Sequence, residues 1–166
     1  MTWPSTLWIC LLLAALGFSG AYVAGLPEAK IVGAATAVDG DSLRLDGRSI
    51  RLKGLDAPEY RQTCQGPDGE TPCGREARQA LARLLARAPV VCSLKGRDRY
   101  GRDLAYCRAG DLDINAALVR DGHAVAYGEY AAEEAEARAN RRGLWRLSFE
   151  KPSVWREKHP RPGRDH

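Results

Sequence analysis

Two short runs of the chain concentrate carboxylates and guanidinium groups. The first is Asp39-Gly40-Asp41, followed by Arg51 and then by Asp56-Ala57-Pro58-Glu59; the second is Asp98-Arg99-Tyr100-Gly101-Arg102. Taken singly, each reads as structure: Asp-Gly-Asp as a turn, Asp-x-Pro-Glu as a strand exit, Tyr-Gly-Arg as a hairpin tip. Taken together, Asp41, Asp56 and Glu59 bracket a segment that presents Arg51. Hard oxygen donors clustered in this way suit Ca²⁺ or Mg²⁺, and guanidinium groups beside a carboxylate-held cation suit a phosphate. A cation, two arginines and a spare carboxylate are the parts that hydrolyse a phosphodiester. The chain has three histidines and no Gly-x-Ser-x-Gly elbow, Walker loop or dinucleotide fingerprint. Those absences disfavour histidine-based ribonuclease, nucleophilic and nucleotide-cofactor chemistry.

The surrounding elements must bring these runs to one place. Lys30 to Val38 reads as a strand. Ser42 to Leu45 and Ser49 to Leu55 flank Asp46-Gly47, the strongest short hairpin signal. In that hairpin Leu43, Leu45, Ile50 and Leu52 point to a core, while Arg44, Arg51 and Lys53 line the other face. Antiparallel strands of matched length then carry Asp41 and Asp56 to the same rim. Residues 60–73 read as a polar loop, and Gly74 to Ala88 as a helix with its apolar stripe at Ala77, Ala80, Leu81, Leu84, Leu85 and Ala88. Val90 to Leu94 and Leu104 to Arg108 read as paired strands around a Gly96–Gly101 turn. Helices follow from Ile114 to Asp121, capped by Asp113, and from Ala131 to Arg142, with its acids early and its arginines late. Five short strands with an inserted helix and further helices at the end predict an α+β domain built on a small closed β-barrel; the OB-fold is one such barrel.

At 166 residues, with 28% charged and 45% hydrophobic residues and a mean hydropathy of −0.38, the composition is that of one soluble globular domain. Of the net charge of +4, +3 falls in residues 151–166, so overall basicity is weak evidence for a nucleic-acid partner. Residues 1–27 hold no charged side chain, and Leu7 to Val23 is apolar enough for a signal peptide or a membrane anchor. Either one means export, to a secreted, periplasmic or membrane-tethered location. The expected organisation is therefore a signal or anchor over 1–25, a folded domain over 26–148 and a basic, disordered tail over 149–166. Outside the apolar segment the cysteines number four: Cys64, Cys73, Cys92 and Cys107. An even number in an exported chain reads as disulfides. Four thiols allow three pairings. Cys64–Cys73, stapling the polar loop, and Cys92–Cys107, bridging two neighbouring strands, are the expected ones.

From about Lys30 to Trp145 the chain resembles the staphylococcal nuclease (thermonuclease) family. The stretches that carry the resemblance are VDGDSLRL (38–45), IRLKGLDAPE (50–59), DRYGRDLAY (98–106), INAALVRDGHAVAY (114–127) and RGLW (142–145). The resemblance implies a five-stranded OB-type barrel with three helices, and a calcium-dependent, monomeric endonuclease acting on DNA and, as a further candidate, RNA. It implies Asp41, Asp56 and the backbone carbonyl of Ala57 as calcium ligands, Arg51 and Arg102 as the grip on the scissile phosphate, and Glu59 as general base. Tyr100 and Tyr127 fall where aromatics surround the nucleotide. Glu129 stands where the family commonly has a second tyrosine. Lys53 and Arg99 read as solvated or backbone-steering charges, and His123 as structural. The alternative is a nuclease-fold domain that binds nucleic acid or a protein without cutting.

Overall fold

The computed structural model describes residues 29–160. The expected N-terminal signal or anchor and the last six residues lie outside them. Within them, the strand predicted from Lys30 to Val38 is two pieces, β1 (Lys30–Gly33) and β2 (Ala35–Ala37). The predicted hairpin is β3 (Ser42–Leu45) and β4 (Arg48–Leu52), with Ser42 opposite Arg51 and Leu43 opposite Ile50. Its turn residues Asp46 and Gly47 have φ of 50° and 74°, the left-handed pair that matches the twist of a two-residue hairpin.

A short β5 (Leu55–Asp56) follows, then β6 (Cys64–Gly66), β7 (Gly69–Thr71) and helix α1 (Cys73–Leu85). The segment read as a polar loop therefore holds a small hairpin of its own. Strands β8 (Val90–Arg97) and β9 (Asp103–Ala109) pair antiparallel, and β10 (Leu112–Asp113) pairs with β9. Helix α2 (Ile114–Arg120), strand β11 (Val125–Ala126), helix α3 (Ala131–Ala139), a 3₁₀ turn (Gly143–Arg146) and helix α4 (Pro152–Lys158) complete the described chain. Asp113 caps α2 as expected, its side chain accepting from the Ala116 amide at 3.0 Å. Helix α3 stops short of the predicted Arg142, because Arg141 turns to a φ of 50°.

The main sheet runs β1-β8-β9-β4-β3-β2, with β4 and β9 parallel. Its two end strands are consecutive pieces of chain separated by Ala34 alone, but among the described residues no hydrogen-bonded pairing joins β1 to β2, so the expected barrel is not closed. The domain is α+β and OB-like. Inside it, Leu43, Leu45, Ile50 and Leu52 are completely buried and meet the α1 face of Ala77, Ala80, Leu81 and Leu84 and the α2 residues Leu118 and Val119. Burial of each such leucine contributes roughly 1.5–3 kcal/mol. The structure carries four α-helices among the described residues, where three were expected. The fourth, α4, forms from a segment read as disordered tail.

Both expected disulfides are present, Cys64–Cys73 and Cys92–Cys107. Cys92 and Cys107 sit directly opposite across β8 and β9, with Cα atoms 4.1 Å apart. The buried Asn115 side chain takes over where β4 ends: it accepts from the Cys107 amide at 3.1 Å and donates to the carbonyls of Lys53 at 2.9 Å and Ala105 at 3.3 Å. It thereby pins the turn between β4 and β5, which carries Asp56.

His123, expected to be structural, lies between α2 and β11. Burial pushes its imidazole below the ordinary 6.5, with Asp121 and Glu76 opposing the shift and Arg83 and Arg146 adding to it. The unfolded chain therefore takes up this proton first as pH falls, and stability is full above about 6.5 and declines below it. Denaturant midpoints at pH 7.5 and 5.5 should differ more for wild type than for His123→Gln. An equal difference in the two proteins would exclude this role.

Candidate active site

Asp41 closes the turn before β3, and its carbonyl accepts from the Leu52 amide at 2.8 Å, locking it against the end of β4. Arg51 stands opposite Ser42 on β4. Asp56 lies on β5, paired with Val125 of β11. These three elements bring both aspartates onto a single nitrogen: Arg51 Nη2 is 2.8 Å from Asp41 Oδ2 and 2.9 Å from Asp56 Oδ1. Both aspartates are buried. Asp41 also accepts from the Ser42 hydroxyl at 2.8 Å and, at a longer 3.4 Å, from the Ala57 amide.

The second run enters through the same serine, Arg102 Nη1 lying 3.4 Å from Ser42 Oγ. Arg102 is aimed by Asp98, which accepts from its Nε at 2.7 Å and from the amides of Tyr100 and Arg102 at 2.9 and 3.0 Å. Burial works against the charge on Asp98, but the Arg102 guanidinium and the two amides outweigh it and hold the carboxyl below its ordinary value. One polar network thus runs from Arg102 through Ser42, Asp41 and Arg51 to Asp56. The two sequence runs, the first ending at Glu59 and the second beginning at Asp98, form one site.

Glu59 is set by its backbone. Its amide donates to Gln62 Oε1 at 3.3 Å and its carbonyl accepts from the Gln62 amide at 2.7 Å. Gln62 is fully buried and anchored in turn to the Glu150 carbonyl at 2.7 Å. Helix α1 begins hard against this turn. A Cβ on Gly74 would stand 1.8 Å from the Glu59 carbonyl oxygen, so glycine at that position lets the helix approach the general-base candidate. Gly40 does the same between Ala57 and Ala77, where a Cβ would sit 2.8 Å from each methyl.

Tyr100 and Tyr127 are 55% and 72% exposed, so both rings are at the surface. The Tyr100 ring is flanked by Arg99 and Arg102, 4.8 and 5.7 Å from its centroid. Arg99 is thus held on an aromatic face. Lys53 is also held: its ammonium lies 2.5 Å from Glu129 and 2.7 Å from the Tyr106 hydroxyl, and that hydroxyl donates to Glu129. The hydrogen bond to Glu129, then that to Tyr106, pushes the lysine up to about 12, and the same contacts lower Glu129. Glu129, at a position where the resemblance led one to look for an aromatic, is a partner of this lysine.

Sequence reasoning missed Arg156. From α4 it places Nη1 and Nη2 each 2.9 Å from the two oxygens of Asp56, and Nη1 3.3 Å from Glu59 Oε1. Burial opposes its charge, and the hydrogen bonds and charges of Asp56 and Glu59 more than restore it, leaving its affinity for the proton above that of an ordinary arginine. Nothing in the basic tail marked this one cation out.

Among the described residues, no three of the His, Cys, Asp and Glu side chains form a ready-made metal cluster. What they offer is a pair of buried carboxylates converging on one positively charged nitrogen, with Glu59 joined to Asp56 through Arg156. These donors are hard carboxylate oxygens, the chemistry that suits a calcium-class cation.

Residues 49–147 match the model of a family described as "Staphylococcal nuclease homologue". Among known proteins the chain is 39% identical over 135 residues to "Succinoglycan biosynthesis protein ExoI" of Rhizobium meliloti, covering 76% of this chain and 70% of that one. It is 33% identical over 133 residues to an "Uncharacterized endonuclease" of Escherichia coli, covering 73% and 81%. It is 34% identical over 114 residues to "Probable staphylococcal-like nuclease CAN3" of Oryza sativa, covering 64% of this chain and 28% of that longer one. The mixed sheet, the hairpin that carries Asp41 and Arg51, and a match over most of the folded part agree: this chain belongs to the staphylococcal nuclease family.

Proposed function

We propose that the chain is an exported, calcium-dependent endonuclease that hydrolyses phosphodiester bonds of DNA, with RNA as a further candidate. The observation that carries this reading is the continuous Arg102–Ser42–Asp41–Arg51–Asp56 network, which gathers two guanidinium groups and two carboxylates around one rim. Asp41, Asp56 and the Ala57 carbonyl would hold Ca²⁺, which when bound polarises the phosphoryl group. Arg51 and Arg102 bind the non-bridging phosphate oxygens, and their hydrogen bonds strengthen as negative charge builds on those oxygens. Glu59 takes a proton from the attacking water as the new P–O bond forms. The ester P–O bond breaks, and its electron pair leaves on the departing oxygen, which is protonated from solvent. Tyr100 and Tyr127 stack on flanking bases. The apolar N-terminal segment and the two disulfides support export.

The second reading, binding without cutting, has one feature in its favour: Arg156 engages Asp56 and Glu59. The experiment incubates the purified chain with single-stranded DNA, double-stranded DNA and RNA, in calcium and in chelator. Internal cleavage products that appear in calcium and vanish in chelator are expected. Retention of nucleic acid with no products under any condition would establish the second reading.

A further inference from the structure

We propose that Arg156 is an internal competitor of the divalent cation, and that helix α4 is an arm which must release Asp56 and Glu59 before the cation binds. This rests on the cation site proposed above. Three observations lead to it. Arg156 engages both oxygens of Asp56 at 2.9 Å and reaches Glu59 at 3.3 Å, while Arg51 also holds Asp56 Oδ1. Calcium–oxygen bonds are shorter, about 2.3–2.6 Å, and a divalent ion bound to those oxygens would face the guanidinium across them at close range.

The charge balance points the same way. Asp41, Asp56 and Glu59 against Arg51 leave a formal charge of −2, which a divalent cation neutralises; with Arg156 in place it is −1, and the cation would leave an excess of positive charge in a largely buried site.

The arm is also built to come away. The chain up to Glu150 is fixed by the Gln65–Ser148 bridge and by Gln62. Beyond it, only Pro152 of α4 is buried. Its side-chain ion pairs include those of Arg156 and one between Lys158 and Glu150, while Trp155 stacks on His159 within the arm itself. Few apolar contacts and a solvent-reachable ion pair mark a segment at the low-stability end of the fold. The family match covers residues 49–147, and α4 lies just beyond its end.

The test measures calcium affinity of the full chain by titration calorimetry, for wild type, Arg156→Gln and Arg156→Lys, with thermal melts confirming that each folds. An arm docked for about nine-tenths of the time weakens apparent affinity about ten-fold, so Arg156→Gln should bind about ten-fold more tightly and Arg156→Lys should fall between. In wild type, calcium should also speed trypsin cleavage within residues 151–158. Equal or weaker calcium binding by Arg156→Gln would overturn the proposal and leave Arg156 as a support for Asp56. If neither wild type nor Arg156→Gln binds calcium, the cation site itself falls, and the competitor with it.

Discussion

Arg51→Lys is expected to lower the rate of DNA cleavage by about 10²–10³, equivalent to roughly 3–4 kcal/mol of lost transition-state stabilisation, with little change in thermal stability. Lysine keeps a positive charge between Asp41 and Asp56, which now share one guanidinium nitrogen at 2.8 and 2.9 Å. It cannot hold those carboxylates and also offer a planar fork to two phosphate oxygens. Arg102→Lys should fail in the same way, and further because Asp98 aims Arg102 through its Nε as well as its terminal nitrogen. Initial rates at saturating substrate, compared with DNA affinity, separate the effects: kcat should fall while KM changes little. Near-wild-type kcat in Arg51→Lys would remove this residue from the chemistry.

Asp41→Asn and Asp56→Asn are expected to abolish calcium binding and cleavage together. Each removes one of two converging anionic donors, and an amide brings an N–H where Arg51 already donates. The two variants should differ in stability. Asp56 is the anchor of both Arg51 and Arg156, so its loss also frees α4; Asp41 engages Arg51, Ser42 and Ala57 and leaves the arm docked. Faster trypsin cleavage of residues 151–158 in Asp56→Asn but not in Asp41→Asn would confirm the division. Calcium-dependent cleavage surviving in either variant would show that the cation is held elsewhere.

How much of this was legible in the sequence follows from the range of the interactions. The β3–β4 hairpin was readable because its signals are local: Asp46-Gly47 sets the turn, and Leu43, Leu45, Ile50 and Leu52 alternate with polar residues. That hairpin places Arg51 opposite Ser42, next to Asp41, and Asp56 and Glu59 follow shortly after β4, while Arg102 comes from the second run. The hairpin of β6 and β7 was not readable, because a disulfide and a bridge to Ser148 hold it where apolar alternation does not. Gln62 and Asn115 were missed because a buried amide has no periodicity; each is recognised only by the backbone groups it satisfies. Arg156 lies 100 residues from Asp56, on a seven-residue helix with one buried side chain. In a basic, proline-containing stretch such a helix leaves no apolar stripe, so a composition reading took it for a solvated tail.

The most direct measurement is the rate of phosphodiester cleavage by the wild-type chain across a calcium titration that starts from chelated protein, with Glu59→Gln beside it. The expected result is no cleavage in chelator, a saturable rise with calcium in wild type, and a rate depressed throughout in Glu59→Gln although it binds DNA as tightly. Cleavage that persists in chelator, or DNA bound by the wild type at every calcium concentration without a single scission, would contradict it.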